Sequence, residues 1–226
     1  AAGENLAGEA KFLKCFTSLR PFERIQFLRG SENVFIDLAY ETAELRRLIE
    51  MVHEFYLREL DGWTGTAADG LSFMDDWGSQ KALLIHPDQW RRLFKPLYRE
   101  YCDRMHAAGK KVFFHSDGCI EAIYGDLIEV GMDAINSQLF CMDIEGLSRR
   151  YRGRVTFWGE IDRQRILPFG TPAEVRSAVY RVRRALDDGR GGLIAQLEWG
   201  KHNPRENIEA ALEAWDTPLD QLLAEA

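Results

Sequence analysis

Residues 110–118, KKVFFHSDG, decide how this chain is read. Gly109 stops a helical pattern ahead of them. Val112, Phe113 and Phe114 then form a short apolar run, and His115, Ser116, Asp117 and Gly118 follow at once. β-Branched and aromatic residues suit a buried pleated surface, so the run predicts a strand ending in His-x-Asp-Gly. Alternate residues of an extended chain share a face, so His115 and Asp117 can aim at one ion or substrate. In parallel α/β folds, ligands collect at that strand end.

The same pattern repeats outward from this stretch. On the N-terminal side, Lys11 to Phe16 reads as a first strand, Pro21 opens a helix that Gly30 closes, and Asn33 to Leu38 is ambiguous. Leu45, Leu48, Ile49, Val52, Tyr56 and Leu60 recur at helical spacing over Thr42 to Leu60. Leu71 to Met74 is a strand ending in Asp75-Asp76-Trp77-Gly78, and His86-Pro87 starts a helical run that Pro96 should break or kink. On the C-terminal side, Ile120 to Val130 is a helix, Asp133 to Asn136 a strand, Leu147 to Tyr151 a helix and Val155 to Trp158 a strand. Thr171-Pro172-Ala173-Glu174 is a capping box, Gly192 to Gln196 the last strand, and Asn203-Pro204-Arg205-Glu206 a second capping box.

Strands alternating with helices predict a parallel sheet covered by helices. About six β/α units are visible where a (β/α)8 TIM barrel has eight, so the expectation is an α/β barrel lacking its first two units. It would form one domain over residues 1–226, with an open sheet as the alternative. The 226 residues, 46% of them hydrophobic, are ordinary for a globular domain, and a net charge of −7 argues against nucleic acid as partner. Cys15, Cys102, Cys119 and Cys141 are widely spaced, the pattern of reduced thiols. There is no membrane-length apolar run and no leader signal, so a cytoplasmic, non-membrane protein is expected.

Polar residues close strand after strand: Asp75 and Asp76, then His115 and Asp117, Asn136 and Gln138, Glu160 and Asp162, and Glu198. In a parallel sheet all of them line one rim. His115 and Asp117, joined by Glu198 or Glu160, could hold a divalent ion such as Zn²⁺ at three points and leave a fourth open. The plainer alternative makes Asp117 the cap of the following helix. One of Asp75 and Asp76 could serve as general base or substrate anchor, and the other reading is again a cap. Cys119 is a soft ligand or a small apolar residue. Trp63, Trp77, Trp158 and Trp199 wall a pocket or pack in the core.

Longer motifs make the chain recognisable. DDWGSQ at 75–80, HPDQW at 86–90, AGKKVFFHSDG at 108–118, EVGMDAINSQ at 129–138, WGEIDRQRILPFGTPAEV at 158–175 and EWGKHNPRENI at 198–208 resemble the uroporphyrinogen decarboxylase superfamily. That superfamily joins uroporphyrinogen decarboxylases to cobalamin-dependent methyltransferases in one (β/α)8 barrel. Its members run longer, which implies that the missing part is N-terminal. The methyltransferase branch carries His-x-Cys-Gly after this strand and a second cysteine after the last, binding zinc. Here His115 matches the histidine, Asp117 stands at the first cysteine, and Glu198 lies near the second. Carboxylates in place of thiolates harden such a site. True decarboxylases use no metal and hold pyrrole NH groups with an aspartate, which Asp75 or Asp76 resembles.

The resemblance therefore implies an enzyme with a small-molecule substrate. Metal-assisted methyl transfer from a corrinoid or other methylated donor ranks first, with the corrinoid free or on a partner protein. Cofactor-free decarboxylation of a tetrapyrrole, or a non-catalytic binding barrel, is the alternative. On the first reading His115, Asp117 and Glu198 hold the metal, and Asp76, His115 and Glu160 are catalytic. Asp75, Trp77, Asn136, Gln138 and Trp199 contact substrate. The oligomeric state is left open.

Overall fold

A computed structural model describes residues 11–224. Six strands stand in sheet order β1 to β6, and each defined pairing is parallel. With helices between them they make a partial (β/α)8 barrel of fewer than eight units. By contact the chain forms two compact units. The first runs to Trp77 and adds Ile85–His115 and Asp126–Asp133; the second comprises Gly78–Leu84, Ser116–Gly125 and everything from Ala134.

The first unit opens with β1 (Lys14–Phe16), α1 (Pro21–Arg29), α2 (Ser31–Tyr40) and α3 (Ala43–Thr64). The ambiguous stretch is thus helical. Asn33 to Leu38 lies inside α2, where only Val34 and Leu38 are buried, a four-residue spacing that a helix places on one face. Thr42 caps α3 by accepting from the Leu45 N–H. β2 (Gly70–Met74) leads to α4 (Pro87–Leu93) and α5 (Lys95–Ala107). Pro96 breaks this run as expected and sits in the first turn of α5, where its missing N–H costs nothing. β3 (Lys111–Ser116) pairs with β2 in the register Phe73 to Phe114 and Met74 to His115.

An aromatic core fills the first unit. Phe22 stacks on Trp77 with ring centroids 4.1 Å apart, and Trp90, Phe94 and Tyr98 surround the pair.

In the second unit α6 (Glu121–Glu129), which begins there, precedes β4 (Ala134–Ser137), α7 (Ile144–Tyr151) and β5 (Thr156–Gly159). After them come α8 (Ile166–Phe169), α9 (Pro172–Leu186), β6 (Leu193–Ala195), α10 (Arg205–Asp216) and α11 (Leu219–Ala224). The capping box at Thr171 and Glu174 is complete, with both reciprocal bonds made. The one expected at Asn203 is not formed. Pro204 takes the cap position of α10, and Asn203 turns its side-chain oxygen back to the Gly200 N–H at 2.7 Å. The core of this unit packs Val175 and Val179 of α9 against Ala210, Ala211 and Ala214 of α10, with Ile161 and Leu167 between.

Candidate active site

Asp75 and Asp76 are consecutive residues past β2 with different surroundings. Asp75 is fully buried. Its carboxylate accepts from the Phe22 and Glu23 N–H groups, both at 2.9 Å, and from the Tyr98 hydroxyl at 2.5 Å. It thus fills the role of an N-cap for α1 from a distant strand, since Arg20 at the cap position supplies no side-chain bond. Burial pushes this carboxyl up to about 7, with the donors from Tyr98 and α1 pulling the other way. Trp77, also fully buried, donates its indole N–H to the same Tyr98 oxygen at 2.8 Å. Asp75 and Trp77, expected to touch substrate, are placed with these polar atoms bonded inside the first unit's core.

Asp76 is partly exposed, and its Oδ1 lies 3.8 Å from Nε2 of His115. Neighbouring residues of an extended segment point oppositely, which is why one acid is buried while the next meets the histidine. One ligand atom each from Asp76, His115 and Asp117 lie within 4.8 Å of one another. Two hard carboxylate oxygens and one imidazole nitrogen suit a divalent cation such as Zn²⁺. This cluster departs from the expected triad, because Asp76 stands in it and Glu198 does not.

Within the second unit, the Arg163 guanidinium bridges the two other acids. It pairs with Oδ2 of Asp117 at 2.5 Å and with Oε2 of Glu198. Burial opposes the charge on Arg163, but hydrogen bonding to Asp117 and the field of Glu160 and Glu198 hold it above its ordinary value. Glu198 thus pairs with an arginine and is not one of the three clustered ligand residues.

Beside Arg163 lies a cavity of about 270 Å³ lined by Gln80, Lys81, Gln138, Cys141, Glu160 and Arg165 among others. Gln138 and Glu160, both expected at the site, are nearly buried in its wall. Asn136 is not in the lining. Its amide N–H groups bond the Trp158 carbonyl at 2.7 Å and the Gln196 oxygen at 3.1 Å, tying three strand ends together. Trp199 is half-exposed and outside the cavity. The sequence reading missed Gln80, Lys81, Arg163 and Arg165. Their signal is position alone, since all four follow strand ends.

The two glycines of the DDWG and HSDG motifs hold these loops together. The Gly78 N–H donates to the Asp117 carbonyl at 3.1 Å, and the Cys119 N–H to the Ser79 carbonyl at 2.7 Å. The sequence profile described as "Uroporphyrinogen decarboxylase (URO-D)" matches residues 21–217.

The chain belongs to the uroporphyrinogen decarboxylase family.

The match spans most of the chain. Among solved structures, a methyltransferase from Methanosarcina mazei is similar with a TM-score of 0.71 at 14% identity, over 93% of this chain and 60% of that one. At that identity the likeness is one of fold, and this family member spans 60% of that protein's length. No curated protein matches. Among the described residues, no helix is long and apolar enough to cross a membrane.

Proposed function

We propose that this chain decarboxylates a carboxylic acid substrate, the reaction type in the family's description. The observation that carries the reading is the polar cavity of the second unit, where Lys81, Arg163 and Arg165 outnumber Glu160 and Asp162. Asp162 also turns an oxygen to the Gln164 and Arg165 N–H groups, both at 2.9 Å, which leaves its loop less anionic. Decarboxylation breaks the carbon–carboxyl bond, releases CO2, and leaves an electron pair that must take up a proton. Glu160, nearly buried in the cavity wall, is the proton carrier in this reading. The experiment is CO2 release from uroporphyrinogen and from a set of small aromatic and aliphatic acids, without added metal. Turnover of one of them, reduced on the order of 100-fold in Glu160→Gln, supports the reading. Absence of CO2 from every acid removes it.

A second reading, metal-assisted methyl transfer, is favoured by the ligand geometry of Asp76, His115 and Asp117. Those three would hold the metal, which would act as a Lewis acid towards a nucleophilic acceptor. A corrinoid, free or on a partner protein, would be the donor. Methyl transfer from methylcobalamin that needs zinc, with no CO2 from any acid, would place this reading first.

A further inference from the structure

The cavity of the second unit contains a polar group with nothing to bind. Gln138 is 7% exposed, and its side-chain oxygen accepts from Gln80 Nε2 at 2.9 Å, with the Cys141 sulfur 3.5 Å away. The one thiol hydrogen goes to the nearer Gln80 oxygen at 3.1 Å, so the Gln80 N–H2 group is the one turned to Gln138. The Gln138 N–H2 group is therefore the end left over. Among the described residues it has no hydrogen-bond partner, although Gln138 lines the cavity. This donor pair faces the cavity, where a ligand acceptor can take the place of water.

Arg163 lines the same cavity. Of its two carboxylate partners, Asp117 has a side chain 34% exposed and Glu198 one 52% exposed. An ion pair with so exposed an acid is weak, because water screens it and solvates the carboxylate once released. A ligand carboxylate inside the cavity meets the guanidinium with less water around it, in a geometry that suits two parallel N–H to O bonds. Lys81 and Arg165, both exposed at the lining, carry no ion pair among the described residues and extend the cationic character of the wall.

We infer that this cavity is a recognition site for a small organic acid, whose carboxylate displaces Glu198 from Arg163 and accepts from the Gln138 N–H2 group. The inference rests on the acid-substrate reading above and names the residues that select the acid. About 270 Å³ lies just below the roughly 300–1,000 Å³ of pockets that take drug-sized ligands. The acid is accordingly a single ring or a short chain, not a macrocycle. Glu198 serves as the placeholder on Nη1 of Arg163 when no ligand is bound, while Asp117 stays on Nη2.

Calorimetric titration of the full chain with acetate, succinate and benzoate, each against its neutral amide, tests this. At least one acid should bind ten or more times tighter than its amide. Arg163→Gln should lose that preference, and Arg163→Lys should recover part of it. Glu198→Gln removes the competitor on an exposed side chain and should tighten the acid at least threefold. That variant keeps the test valid if Arg163→Gln does not fold. No preference for any acid, or Glu198→Gln binding no better than the parent, overturns the assignment. Acid binding through Arg163 without CO2 release would sink the decarboxylation reading alone. CO2 release that Arg163→Gln leaves unchanged would sink this one alone.

Discussion

Gly78 and Gly118 meet backbone to backbone. A Cβ placed on Gly78 would come within 2.5 Å of the Gly118 carbonyl carbon, and one placed on Gly118 would overlap the Gly78 carbonyl. Gly118 also has φ of +77°, which residues with a side chain rarely adopt. The glycines that end the DDWG and HSDG motifs therefore let two strand-end loops touch, and Asp117 lies between Gly118 and β3.

The first prediction concerns that contact. Gly118→Ala combines an unfavourable φ with a backbone overlap that no rotamer relieves, and should destabilise by more than about 2 kcal/mol. A lower urea midpoint at unchanged slope checks it.

Asp75 gives a prediction with a sign. Its folded value, about 7, stands above the ordinary 3.8, so the folded state holds the proton more tightly than the unfolded chain does. Its favourable contribution is complete below about pH 4 and is lost as pH rises through about 7. Asp75→Asn cannot titrate, and its amide N–H2 would face the Phe22 or Glu23 N–H. The variant should be less stable than the parent, and the gap should narrow by on the order of a few kcal/mol between pH 4 and 8. Urea unfolding across that range measures both effects, and a gap that widens refutes the direction.

Tyr98 can be tested separately. Tyr98→Phe removes the hydroxyl that donates to Asp75 at 2.5 Å and leaves the Trp77 N–H without its acceptor. Loss of that buried bridge should cost about 1–3 kcal/mol. The Asp75 titration midpoint should also move up, because a donor to the carboxylate form is gone.

A surface pair supplies the contrast. Arg181 holds Glu145 with two bonds of 2.8 Å, and this pairing pulls the glutamate down to about 2. Its stabilisation is present above about pH 4.5 and lost as pH falls towards 2. Both side chains are 47% exposed, so solvent screening reduces the effect. Glu145→Gln should cost under about 1 kcal/mol at neutral pH.

For the ligand cluster, His115→Ala and Asp76→Asn should each lower zinc affinity at least tenfold in equilibrium dialysis, while Glu198→Gln should leave it unchanged. Equal zinc uptake by all three would remove the metal reading.

Most of the fold was legible because hydrophobic period and punctuation are local signals. Val112 to Phe114 reads as strand, Thr171 with Glu174 reads as a cap, and Pro96 reads as a break, each without reference to the rest of the chain. Site roles were less legible because they depend on partners distant in sequence. Nothing near Asp75 reveals that α1, some fifty residues earlier, needs its two oxygens. Likewise Arg163, one basic residue among several in GEIDRQR, gains its role only from where Asp117 and Glu198 come to lie. The family resemblance singles out the strand ends but does not say which acid faces inward.

The doublet Asp75-Asp76 looks redundant on paper, yet its members cannot trade duties. One is a keystone wedged under a distant helix, while the other keeps company with an imidazole. Exchanging either for glutamate would move its headgroup by one methylene, and the two copies would fail differently: the first by loosening the scaffold, the second by mis-aiming the chemistry.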